Sequence, residues 1–154
     1  MVLYLVQHGE AKAKTEDPER PLTARGRDDI ERLAKLLKRL GVSVAEVSQS
    51  GKLRARETAQ ILAAAVQPSR GVVAAAGLSP KDPVEPIAEY VSALHEDIML
   101  VGHLPHLDRL TTLLLSGREE PSVVRFVPGT LVRLEHGGGW SLGWLVPPKL
   151  TEPG

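Results

Sequence analysis

The order of strand-like and helix-like segments predicts an α/β fold: a three-layer α/β/α sandwich around a mostly parallel central sheet, with a C-terminal β-hairpin adding antiparallel edge strands. Three observations carry this. Short runs such as Val2–Val6 and Ile98–Val101 are apolar throughout, as strands covered on both faces are. The segments between them repeat apolar residues at helical spacing. Near the C-terminus, two alternating segments flank Gly137-Gly138-Gly139, a hairpin signal. The chain has 154 residues, no internal repeat and no long linker, so residues 1–154 read as a single domain.

The elements follow in order. Val2-Leu3-Tyr4-Leu5-Val6 is the first strand and runs into Gln7, His8 and Gly9. Residues 16–21 are charged and hold two prolines, as a loop does. Thr23 can cap the next helix, in which Ile30, Leu33, Leu36, Leu37 and Leu40 share a face and Gly41 marks the stop. Val42, Val44 and Val47 alternate as a short second strand. A second helix opens at Ser50-Gly51 and carries Leu53, Ala55, Thr58, Ile61 and Leu62 until Pro68 and Gly71 close it. Residues 72–76 form a candidate short strand, 79–86 a proline-rich loop and 87–94 a helix. Ile98–Val101 is a buried strand ending at Gly102-His103. Leu107–Leu115 is a helix ended by Gly117, and the hairpin strands are 131–135 and 140–146.

Composition excludes several classes. Nineteen basic residues balance nineteen acidic ones, so there is no broad electrostatic footprint for nucleic acid or membrane. Aromatics are 3%, too few for base-stacking platforms. No apolar run approaches membrane-spanning length, and the apolar start lacks the basic flank of a signal peptide. The absence of cysteine excludes disulfides and thiolate metal sites and fits a reducing cytoplasm. The expectation is a cytoplasmic monomer with no nucleic-acid or membrane partner. Any positive charge that matters must be concentrated in one pocket.

In open α/β sheets ligands bind at the carboxyl ends of strands. Two strands here end alike, in Gln7-His8-Gly9-Glu10 and in Gly102-His103-Leu104-Pro105. If both are central and parallel, His8 and His103 meet at one edge of the sheet, and the glycine beside each lets backbone and ligand approach closely. One such histidine alone is most simply a loop residue; two at equivalent strand ends point to a site. Ser50 to Thr58 follows the second strand and opens a helix, where backbone N–H groups and a guanidinium bind phosphate. Arg54 and Arg56 cannot face the same way on that helix, so one faces the site and the other solvent.

Together these segments resemble the histidine phosphatase superfamily, and within it the small bacterial phosphohistidine phosphatases of the SixA type. The resemblance spans almost the whole chain. It rests on His8-Gly9-Glu10-Ala11, on Arg20-Pro21-Leu22-Thr23-Ala24-Arg25-Gly26, on Ser50 to Thr58 as S-x-x-x-R-A-x-x-T, and on Leu100-Val101-Gly102-His103-x-Pro105. Gly129-Thr130 and Trp140-Ser141-Leu142-x-Trp144 complete it. It implies that His8 is the nucleophile and forms a phosphohistidine intermediate, with His103 and Arg54 as catalytic partners. Gln7, Gly9, Arg54 and His103 would surround the phosphate, with Arg20, Glu10 and Ser50 as auxiliary residues. No cofactor and no metal are implied.

Two positions depart from the family pattern. Gln7 stands where the family has an arginine that clamps phosphate, and Arg20, Arg25, Lys52 and Arg56 are the cations that could replace it. Leu104 stands where the family has asparagine. A carboxylate that protonates an alkoxide leaving group is also part of the wider superfamily, and Glu10, Asp82 and Glu85 are the candidates. The phosphohistidine branch resembles enzymes without one, since a departing imidazole needs less proton assistance than an alkoxide.

Three functions are therefore weighed: a phosphohistidine phosphatase acting on a phosphorelay protein, a phosphomonoesterase acting on a small phosphate ester, and a phosphate- or phosphoprotein-binding module of low turnover because of Gln7. No insertion is long enough to cap the pocket, which favours an open site and a protein substrate. A zinc site on His8, His103 and His106 is disfavoured by Pro105 and the lack of an acidic partner. His95, His106 and His136 are expected at the surface, and no Gly-x-Ser-x-Gly elbow supports a serine hydrolase.

Overall fold

Two strands, β1 (Val2–Gln7) and β4 (Ile98–Gly102), run side by side and parallel at the centre of a six-stranded sheet. The computed structural model describes residues 1–154. Beyond β4 lie β2 (Glu46–Gln49) and then β3 (Val72–Ala74), both parallel to their neighbours. Beyond β1 the hairpin strands β5 (Leu131–His136) and β6 (Trp140–Val146) add antiparallel. The order β3-β2-β4-β1-β5-β6 is the mostly parallel sheet with an antiparallel C-terminal edge that the sequence predicts.

Helices cover both faces, which explains why β1 up to Val6 and β4 up to Val101 are apolar at every position. Tyr4, Val6, Met99 and Val101 face α1 (Ala24–Arg39) and α2 (Leu53–Val66), packing with Ile30, Leu33, Leu37 and Leu62. The alternate residues Leu3, Leu5, Ile98 and Leu100 face α3 (Glu85–Ser92) and α4 (His106–Ser116), packing with Val91, Leu107 and Leu110. Leu5 is fully buried, and truncating it to alanine would cost about 2–5 kcal/mol through the cavity left behind.

Several boundaries differ from the sequence expectation for local physical reasons. Thr23 caps α1 as expected, its Oγ1 accepting from the Gly26 N–H at 2.9 Å. α2 begins at Leu53 rather than Ser50, because Gly51 takes the left-handed conformation (φ 95°) and turns the chain between strand and helix. Val42 and Val44 precede β2; the Val44 N–H instead donates to the Val66 carbonyl at 3.3 Å, tying the chain to the end of α2. α3 starts at Glu85, inside the segment expected as loop, since Pro86 fits a first helical turn where its missing N–H costs nothing. A 3-10 turn at Pro148–Thr151, which no sequence signal marked, packs on α1.

Candidate active site

The parallel ladder ends with Gln7 opposite Gly102, and the His8 N–H extends it by donating to the Gly102 carbonyl at 3.1 Å. His8 and His103 therefore leave adjacent strands at the same height, and their ring centroids are 5.0 Å apart. His8 Nδ1 lies 2.7 Å from the Gly9 carbonyl oxygen. A carbonyl can only accept, so Nδ1 carries the proton and Nε2 keeps a free lone pair. Burial lowers the His8 pKa to about 4; the Gly9 hydrogen bond opposes the shift, and the charges of Arg54 and Arg20 add to it. The ring is neutral at neutral pH, the state a nitrogen nucleophile requires.

His103 is 2% exposed, and burial lowers its pKa to about 3, helped by His8, Arg54, Lys52 and His106. Its Nε2 lies 2.6 Å from Ser50 Oγ. Ser50 Oγ also accepts from the Lys52 N–H at 3.3 Å, which leaves its proton and its second lone pair for this contact. When Ser50 donates, the His103 proton is on Nδ1, which is buried and has no partner. In the free site His103 is neutral. A protonated, charged His103 is disfavoured by burial and by the cations around it.

Arg54 stands on the first turn of α2, half-buried, with its Nε unpartnered. Its pKa is lowered by burial and then by the neighbouring charge of Arg20. Arg20 has a left-handed backbone (φ 51°), strained for a non-glycine residue, and its Nε donates to the Lys12 carbonyl at 3.0 Å. The two guanidinium groups sit close enough to disfavour one another with no anion between them. Thr58 holds this frame together: its Oγ1 accepts from the Gly9 N–H at 3.1 Å and donates to the Arg54 carbonyl at 2.8 Å. Thr58 belongs to the motif read from the sequence, but nothing there indicated this bridging role.

Other expected residues behave differently. Gln7 is 6% exposed, and its Oε1 is buried without a partner; its side chain makes no hydrogen bond. Helix packing by itself requires a glycine at position 9, because a Cβ there would lie 2.9 Å from Ile30 Cγ1 and 3.0 Å from the Gly26 carbonyl. A Cβ at Gly102 would meet only ordinary contacts, at 3.6 Å and beyond. Glu10 accepts from the Thr23 hydroxyl at 2.8 Å and lines a separate cleft with Arg25 and Asp29. Glu85 is exposed and lies near Glu119, away from Arg54. Of the three candidate acids, Asp82 alone lines the cleft beside Arg54, and its Oδ2 accepts from the Ser79 N–H at 2.9 Å.

His106 corrects another expectation: it is 1% exposed, not a surface residue, because the start of α4 packs beneath the loops that follow β3. No group of three or more His, Cys, Asp or Glu side chains is placed to hold a metal ion. His95 is exposed, and His136 stacks on Trp140 with centroids 4.4 Å apart. The cleft beside Arg54 has a volume of about 700 Å³ and contains Lys14, Arg20, Lys52, Arg56, Lys81 and Asp82. His8 and His103 do not line this cleft themselves, but the charge of Arg54 reaches both rings and that of Arg20 reaches His8, so the cleft lies beside the imidazole pair.

Comparisons with known proteins give the family and the fold. The family model of the histidine phosphatase superfamily (branch 1) matches residues 3–79. An uncharacterized protein of Picosynechococcus sp. is 36% identical over 115 residues, covering 70% of this chain and 68% of that protein. Phosphohistidine phosphatase SixA of Escherichia coli K12 is 26% identical over 153 residues, covering 96% of this chain and 94% of that protein. Among solved structures, the protein histidine phosphatase SixA complexed with tungstate superposes with a TM-score of 0.87 at 23% identity, covering 99% of this chain and all (100%) of that one. The alpha-ribazole phosphatase of Shigella flexneri superposes with a TM-score of 0.75 at 21% identity, covering 96% and 97%.

Proposed function

The chain belongs to the histidine phosphatase superfamily, resembling its SixA-type branch, and from that premise we propose that it is a metal-independent phosphohistidine phosphatase acting on a phosphorylated protein. The observation that carries this is the His8 ring: neutral, proton-bearing Nδ1 held on the Gly9 carbonyl, and Nε2 free beside His103.

In the first step the Nε2 lone pair attacks phosphorus. The bond between phosphorus and the substrate imidazole breaks, and its electron pair leaves with that imidazole, which takes a proton from water. His8 then carries the phosphoryl group. In the second step water attacks phosphorus, the P–N bond to His8 breaks, and the water proton leaves with phosphate or solvent. Arg54, Arg20 and the Nδ1–H of His103 donate to the equatorial oxygens, where charge is spread in the transition state. Arg20 takes the place of the cation missing at position 7. It is the cation outside α2 whose charge reaches both His8 and Arg54, whereas Arg25 lines the separate cleft around Glu10.

A second reading, hydrolysis of a small phosphate ester, has one feature in its favour: Asp82 in the cleft could protonate an alkoxide. Side-by-side assay of a phosphohistidine peptide and of sugar and aryl phosphates tests the choice. The proposal expects kcat/KM for the peptide to exceed that for the esters by at least about 10², since the leaving group needs no acid. Preferential ester hydrolysis that Asp82→Asn abolishes would replace it with the second reading. Phosphate binding without turnover of either class would leave a binding module.

A further inference from the structure

Resting on that reading, we propose that the cleft beside Arg54 is a docking surface for an acidic flank on the phosphohistidine-bearing protein. The chain has nineteen basic and nineteen acidic residues. Six of the basic ones, Lys14, Arg20, Lys52, Arg54, Arg56 and Lys81, line this one cleft, against two acidic ones, Glu19 and Asp82. Thirteen basic residues therefore face seventeen acidic ones over the rest of the chain. The neutral total hides a segregated charge.

None of the six cations forms an ion pair; the ion pairs of this chain use Arg27, Arg32, Arg70 and Arg133. Asp82 is engaged by the Ser79 amide instead. The cations arrive from three separate places: the segment after β1 (Lys14, Arg20), the start of α2 (Lys52, Arg54, Arg56) and the segment after β3 (Lys81). A reacting phosphoryl group uses Arg54 and Arg20. That leaves Lys14, Lys52, Arg56 and Lys81, all exposed and none of them in an ion pair. Holding like charges together is unfavourable in the free protein and is relieved when a complementary surface arrives.

The lining identifies the occupant. Leu53 is its one aliphatic side chain apart from Pro18 and Pro80, and it contains no aromatic ring. Small-molecule pockets are lined predominantly by apolar and aromatic groups. An open, polar and basic cleft fits instead the acidic side chains that border a phosphorylated histidine on a protein surface.

Two synthetic peptides of equal length test this, each carrying phosphohistidine, one flanked by glutamates and the other by glutamines, with a small bisphosphate ester as a third probe. At low salt kcat/KM for the acidic peptide should exceed that for the neutral one by about tenfold. The gap should collapse at about 0.5 M salt, where the screening length falls to roughly 4 Å. The double variant Lys14→Glu, Lys81→Glu should abolish the gap while hydrolysing the neutral peptide at the wild-type rate. Fluorescence anisotropy on the His8→Ala protein reads the same preference as binding, independently of turnover. Equal affinity for both peptides, or a preference that survives the double variant, would overturn the docking surface. So would a bisphosphate that matches the acidic peptide, which would make the cleft a metabolite site. Preferential binding of the acidic peptide with no hydrolysis of any phosphohistidine probe would keep the docking surface and remove the proposed activity.

Discussion

The Ser50 hydroxyl lies 2.6 Å from Nε2 of His103, and this contact sets which ring nitrogen carries the proton. With Ser50 donating, Nδ1–H becomes the group available to a phosphoryl oxygen; without it, the tautomer is free to change. Ser50→Ala should lower kcat about tenfold with little change in KM, because the lost donor acts mainly on the transition state. Ser50→Thr should restore most of the rate. The pH profile of kcat should also shift, which a purely structural defect would not produce. Steady-state kinetics with a phosphoramidate substrate checks this, and an unchanged kcat in the alanine variant would remove Ser50 from the machinery.

If Arg20 supplies the charge that position 7 lacks, Arg20→Ala should cost about 10² to 10³ in kcat, the magnitude of losing one oxyanion donor. Gln7→Arg should then raise the rate of the wild type only a few-fold, yet rescue Arg20→Ala substantially. The double-variant cycle is the measurement. A large gain from Gln7→Arg with no effect of Arg20→Ala would reverse the assignment.

Stability should depend on the two buried imidazoles. Their folded pKa values, about 4 for His8 and about 3 for His103, lie below the ordinary 6.5 of an unfolded chain. Between these values the unfolded chain binds protons that the folded one does not. The stabilisation is therefore fully present above pH 6.5 and is lost as pH falls toward 4 and then 3. Urea unfolding at pH 7 and at pH 4.5 should differ by several kcal/mol for the wild type, because each tenfold difference in proton affinity between the two states is worth about 1.4 kcal/mol. The difference should be smaller for His103→Gln, and inorganic phosphate should reduce it, since a bound anion favours the protonated rings. Equal slopes in wild type and variant would contradict the assignment.

Gly26 sits inside α1, where alanine would ordinarily gain about 1 kcal/mol in helix propensity. A Cβ there would lie 2.1 Å from the Glu10 carbonyl oxygen, so α1 would have to move away from the segment that carries His8. The clash outweighs the propensity. Gly26→Ala should destabilise the fold by at least about 2 kcal/mol and lower activity with it. Chemical unfolding and kinetics on the same preparation read both effects, and a stabilised variant would show that the close approach is not obligatory.

The frame of the site was legible because it follows from periodicity. Uniform apolar runs marked β1 and β4 as covered on both faces, and a histidine at the end of each follows once the strands are parallel and adjacent. An arginine facing the site was legible from the strand-to-helix turn, but the choice of Arg54 over Arg56 came from the motif resemblance alone. What periodicity cannot supply is distance between loops. Arg20, Arg25, Lys52 and Arg56 looked equivalent in the sequence; the left-handed turn at Arg20 and its anchor on Lys12 distinguish it. His106 reads as a surface residue because it is polar and opens a helix, and it is buried because that helix start is covered by a distant loop. Gly9 looked like a door for ligand, but the neighbour that requires it is Ile30, a contact between elements that no local pattern encodes.

The nucleophile is the point on which everything else depends, and brief reaction with a phosphoramidate followed by alkaline quench and peptide mass analysis addresses it directly. A phosphoryl adduct on His8, lost on acidification and absent from a folded His8→Ala protein that no longer turns over, is the outcome expected. An adduct on another residue, or turnover at a normal rate in His8→Ala, would contradict the account.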